Sequence, residues 1–144
     1  MQIISLLTLV NSYKIKIGQF VNKPVILLIA DRNPHVREFL KREMMAEGYQ
    51  IRLVKSGQEL IDDVHNPNTP PDMVILDPDL PDTTDLSLVH HIHQIVPGLP
   101  IVIHTLQTEM IHKLDAVHSV IFVEKKGSSV DHLKQAVKDL LDME

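Results

Sequence analysis

Five short apolar runs, separated by amphipathic or polar segments, constrain this chain more than any other feature. They cover residues 25–30, 51–54, 73–77, 101–105 and 120–124. A strand that is apolar along nearly its whole length needs cover on both faces, and helical segments between such strands supply it. The pattern is that of a doubly wound α/β domain on a five-stranded parallel sheet. At 144 residues the chain suits one such domain with one hydrophobic core.

The segments between the runs carry helix signals. Asn33 and Pro34 supply an N-cap and a first-turn proline, followed by Val36, Phe39, Leu40 and Met44 as a buried stripe. Gly48 is placed to end that helix as a left-handed residue. Ser56 and Glu59 have capping-box spacing ahead of Leu60, Ile61 and Val64. Residues 65–72, rich in proline and asparagine, read as a loop. Asp82 to Thr84 offer caps for a third helix buried through Leu88, Val89, Ile92, Ile95 and Val96 and stopping before Pro97-Gly98. A short fourth helix is expected over residues 108–117. A last helix, capped by Ser128 or Ser129, carries Val130, Leu133, Val137, Leu140 and Leu141.

The domain is expected over residues 23–144, with residues 1–22 as an N-terminal extension. The first ten residues are apolar but lack a basic leader and are too short to span a bilayer. Residues 13–17 alternate as Tyr-Lys-Ile-Lys-Ile, so the extension reads equally as an extra edge strand or as a segment without fixed structure. Fourteen Lys and Arg against nineteen Asp and Glu give a formal charge of −5. That balance argues against a nucleic-acid partner, which needs clustered positive charge. The absence of cysteine excludes thiol chemistry and Cys-based zinc sites, and a cytoplasmic location is the default expectation.

In open parallel sheets, ligands gather beyond the carboxyl ends of the strands. The residues there are Asp31 and Arg32, then Asp77, Thr105 and Lys125. An aspartate beside a hydroxyl and an ammonium can act as a nucleophile toward phosphoryl groups, because both neighbours stabilise charge on the transferring oxygens. Singly these residues have plainer readings: Asp77 as a loop cap, Thr105 as a strand residue, Lys125 as a surface cation. Nine histidines invite a metal reading, but His90 and His91 fall away from the buried stripe and His93 on its flank, which favours a solvated face. His104 falls inside a strand and reads as a core histidine.

The stretches ILLIADRNP (26–34), MVILDPDLP (73–81), PIVIHT (100–105) and FVEK (122–125) together resemble the receiver domain of two-component response regulators. The resemblance runs from about Val25 to Leu141. It implies a flavodoxin-like strand order 2-1-3-4-5, Asp77 as phosphoacceptor, Thr105 as a hydroxyl that moves toward the phosphoryl group, and Lys125 as a phosphoryl contact. It also implies Phe122 as the aromatic switch residue and magnesium held by Asp31, Asp77 and Asp79. Its partners would be a histidine kinase or phosphotransfer protein and a downstream protein target, with the domain a monomer or weak homodimer.

The departures from the family pattern bear on how the site works. Arg32 stands where the family usually has a second acid, so magnesium is expected to bind weakly or not at all. The guanidinium is expected to pair with Asp31, Asp77 or Asp79 instead. Leu106 fills a position that is normally small, and Lys126 replaces a usual proline. The interval from Thr105 to Lys125 is shorter than is common.

The leading expectation is a single-domain receiver in a phosphorelay, rather than an enzyme, with at most self-phosphorylation and autodephosphorylation. Its rival is a phosphorylation-independent interaction module, favoured by Arg32 and Leu106. A third reading takes Asp77-Pro78-Asp79 as the DxD of an aspartate-nucleophile phosphohydrolase, but no later acidic motif supports it.

Overall fold

The computed structural model describes residues 23–83, 85–109 and 119–143. In chain order the elements are β1 (Ile26–Ala30), α1 (Pro34–Ala46), β2 (Gln50–Val54), α2 (Gly57–Val64), β3 (Met73–Leu76), α3 (Ser87–Ile95), β4 (Ile101–Thr105), β5 (Val120–Glu124) and α4 (Ser129–Asp142). The strands form one sheet in the order β2-β1-β3-β4-β5, and every pairing is parallel. The expected topology is therefore the observed one.

Alternation along the strands sorts the core into two layers, because successive side chains leave opposite faces. Leu28, Ala30, Val74, Leu76, Ile101 and Ile103 pack with residues of α2 and α3. Leu27, Ile29, Met73, Ile75, Val102 and Val123 pack with α1 and α4 on the other face. With both faces covered, the central strands are almost wholly sequestered from water.

Local signals set the starts of α1 and α2 and the end of α1. Asn33 accepts hydrogen bonds from the His35 and Val36 amides, Ser56 from the Glu59 amide, and Gly48 adopts a φ of 94° after α1. Three expectations need correction. Phe39 is 41 % exposed, because the buried face of α1 is centred on Leu40 and Met44 and Phe39 lies to one side. Its ring instead meets the Arg42 guanidinium at 5.5 Å.

Asp82 does not cap the helix that follows it. Its carboxylate accepts from the Gly57 and Gln58 amides at the start of α2, while α3 begins at Ser87, whose amide is taken by Asp85. Ser128 occupies the N-cap of α4 without a side-chain cap hydrogen bond. The expected fourth helix over 108–117 falls almost entirely outside the described residues, as do Thr84 and the extension 1–22. Among the described residues no helix is long and apolar enough to cross a membrane.

Candidate functional site

Parallel pairing puts the carboxyl ends of all five strands on one edge, so Asp31, Asp77, Thr105 and Lys125 are delivered to the same place by topology alone. Hydrogen bonds beyond the strand ends continue the alignment: Asp31 N donates to Val54 O, Asp77 N to Ala30 O, and Lys125 N to Thr105 O. Asp31, Asp77 and Thr105 are buried, and Lys125 is partly so.

Lys125 is the centre of the site. Its Nζ donates to Asp31 Oδ2 at 2.7 Å and to Asp77 Oδ2 at 2.5 Å. Burial works to lower the ammonium pKa, but the hydrogen bonds and negative charge of the two carboxylates outweigh it and hold Lys125 above its ordinary value. The second oxygen of each carboxylate is also engaged. Asp31 Oδ1 accepts from Asn33 N at 2.8 Å and Asp77 Oδ1 from Asp79 N at 3.0 Å. Two acids with one shared cation, each oriented by a local turn, form a preorganised charged pocket at this edge.

Thr105 Oγ1 accepts from Gln107 N at 3.0 Å, which orients the hydroxyl locally. Phe122 is partly buried against the α2 and α3 layer and is the register partner of Ile103, two residues before Thr105. Thr105 and Phe122 thus share one face of the sheet. Leu106 is 74 % exposed and extends this edge as an apolar surface.

Arg32 reaches from the β1–α1 loop to the β3–α3 loop. Its Nε donates to the main-chain oxygen of Asp79 at 3.1 Å, and its Nη2 lies 3.4 Å from Asp79 Oδ1. Of the three partners expected for the guanidinium, Asp79 is the one it meets. Both groups are about half exposed, so the pair is weak and able to rearrange.

Of the three carboxylates expected to hold magnesium, Asp31 and Asp77 meet on Lys125 while Asp79 faces Arg32. Magnesium requires near-octahedral oxygen ligands. Among the described residues no group of three or more His, Asp or Glu side chains is arranged to hold a metal ion, and in this arrangement the residues present do not fit one.

Several contributors to the site have no signature in sequence spacing. Arg37 Nη1 donates to Asp31 O at 2.7 Å, which steadies the β1–α1 loop. The Asp82 link to α2 restrains the loop carrying Asp79 and Leu80. Both amides, Gly57 first, hold the Asp82 carboxyl below its usual range. His104 is buried, as expected of a core histidine. Its Nε2 lies 3.1 Å from Ser129 Oγ, and its pKa is pushed down to about 4, mainly by burial and then by Lys125, with Asp31 opposing.

Comparison with known proteins agrees with this fold. The model of the response regulator receiver domain matches residues 27–138. The response regulator MprA of Mycobacterium sp. (strain KMS) is 32 % identical over 96 residues, covering 65 % of this chain and 41 % of MprA. The transcriptional regulatory protein GlrR of Escherichia coli (strain K12) is 27 % identical over 122 residues, 84 % of this chain and 27 % of GlrR. The chain thus spans well under half the length of these curated relatives.

Among solved structures, a putative response regulator from Chloroflexus aurantiacus superposes with a TM-score of 0.71 at 28 % identity, covering 83 % of this chain and 99 % of that one. The response regulator TrrA of Thermotoga maritima, solved in complex with Mg(2+)-BeF, has a TM-score of 0.69 at 28 % identity, covering 81 % and 98 % of the two chains. The family match over most of the chain and the sheet order place the protein in the response regulator receiver domain family of two-component systems.

Proposed function

We propose that residues 23–144 form the working receiver unit and that Asp77 is its phosphoacceptor. A carboxylate oxygen of Asp77 attacks the phosphorus of a phosphohistidine on a histidine kinase or phosphotransfer protein. The P–O bond of an acyl phosphate forms as the P–N bond breaks, and the imidazole leaves with its electron pair. Lys125, freed from Asp77, neutralises a phosphoryl oxygen while keeping its hold on Asp31. The Thr105 hydroxyl turns from the Gln107 amide to donate to another phosphoryl oxygen, and Phe122 on the same face passes the change to a downstream protein. The observation that carries this reading is the two-carboxylate grip on Lys125 at the sheet's carboxyl edge.

Intact-mass measurement after incubation with a small phosphoramidate donor tests it. One phosphoryl group is expected on the wild type and none on Asp77→Asn. Labelling is expected to be slow, since Arg32 replaces an acid and Leu106 lines the approach. Labelling of Asp77→Asn to the wild-type extent would move the acceptor elsewhere. The pairing of Arg32 with Asp79 favours a second reading, an interaction module that works without phosphorylation, and no labelling of the wild type under any condition would select it.

A further inference from the structure

We propose that Arg32 is a resident cation of this pocket, standing in for a divalent metal and transferring from Asp79 to the phosphoryl oxygens once Asp77 is modified. The proposal rests on the phosphoacceptor reading of Asp77. Its basis is the placement of the guanidinium. Arg32 directly follows buried Asp31 and crosses to the loop beyond Asp77, where it engages both the main-chain oxygen and the carboxylate of Asp79. The Asp79 amide in turn donates to Asp77 Oδ1. One turn of loop therefore joins the nucleophile to the arginine.

The charge balance points the same way. Asp31, Asp77 and Asp79 face Lys125 and Arg32, leaving one net negative charge, so Arg32 already supplies half of the neutralisation a divalent ion would bring. An arriving divalent cation would lose the Asp79 oxygens to Arg32 and be repelled by the guanidinium. A phosphoryl group on Asp77 adds negative charge at the same mouth. The Arg32–Asp79 pair is half exposed and weak, whereas a guanidinium fork matches phosphoryl oxygens in a bidentate, charge-assisted way, so the exchange of partner is favourable.

Two measurements test this. Magnesium chloride is titrated calorimetrically into the wild type, Arg32→Ala and Arg32→Asp, and phosphoramidate labelling is followed by intact mass with magnesium or with a chelator. The wild type is expected to bind magnesium at least about tenfold more weakly than Arg32→Asp, and to label within about twofold of the same rate with or without the metal. Arg32→Ala, which removes the cation without adding a ligand, is expected to lose about tenfold of its labelling rate in chelator, with Arg32→Lys recovering part of it. Equal magnesium affinity in wild type and Arg32→Asp, or wild-type labelling abolished by the chelator, overturns the role of Arg32. Absence of labelling in every protein and condition overturns the phosphoacceptor reading, and the transfer of Arg32 with it, whatever calorimetry shows.

Discussion

Replacing Lys125 by methionine leaves two buried carboxylates facing each other without their shared cation. At 2.5 and 2.7 Å each contact has a gross Coulomb attraction of about 6 kcal/mol at an effective dielectric near 20. Much of this is offset by the several kcal/mol needed to desolvate each ion. The net worth of the intact cluster is therefore modest, but removing one member is not, since Asp31 is 2 % exposed and Asp77 8 %. Lys125→Met is expected to lose about 3–5 kcal/mol, a large share of the roughly 5–15 kcal/mol of a typical domain.

Asp77→Asn, which removes one of two like charges and keeps a hydrogen-bonding group, is expected to lose less than half as much. Urea unfolding followed by far-UV circular dichroism suits the assay, because the chain has no tryptophan. The same cluster predicts an alkaline limit. With its pKa raised in the fold, Lys125 stabilises fully below its unfolded value near ~10.4 and loses that contribution as pH rises through the folded value. A Lys125→Met midpoint within about 1 kcal/mol of wild type, or an equal loss in Asp77→Asn, would refute the reasoning.

His104 gives an acid limit. Its folded pKa of about 4 lies below the unfolded value, so the stability of its neutral form is complete above pH ~6.5 and falls away toward pH 4, by up to about 3 kcal/mol. His104→Leu should flatten urea midpoints across that window, and an unchanged slope would count against it. Asp82→Ala should lower the urea midpoint and speed amide hydrogen exchange at Gly57 and Gln58. Since the Asp82 carboxyl sits below its usual range, its contribution is present above the unfolded carboxyl pKa and lost as pH falls through the folded one. Leu40→Ala should cost about 2–5 kcal/mol and Phe39→Ala under about 1 kcal/mol; equal losses by urea unfolding would mean that Phe39 is packed after all.

The fold was legible in the sequence because a two-sided parallel sheet leaves a mark on composition: strands 26–30 and 73–76 are apolar throughout and 101–105 over its first three residues, and right-handed crossovers then place their ends together. For that reason Asp31, Asp77, Thr105 and Lys125 could be grouped from spacing alone. Helix starts at Pro34 and Gly57 were equally local, since an N-cap bonds to amides two or three residues ahead.

What spacing could not decide depends on contacts between distant segments. Asp82 had the same local signal as any cap, yet its nearest free amides belong to Gly57 and Gln58, 25 and 24 residues away. Phe39 and Leu40 both fit a helical stripe, and only the position of the sheet chose between them. Arg32 had three carboxylates within plausible reach. The tertiary structure gave Asp31 and Asp77 to Lys125, 94 and 48 residues distant in the chain, and so left Asp79 for the guanidinium, because buried acids take the cation that comes with a rigid strand end and the exposed one pairs across the loops.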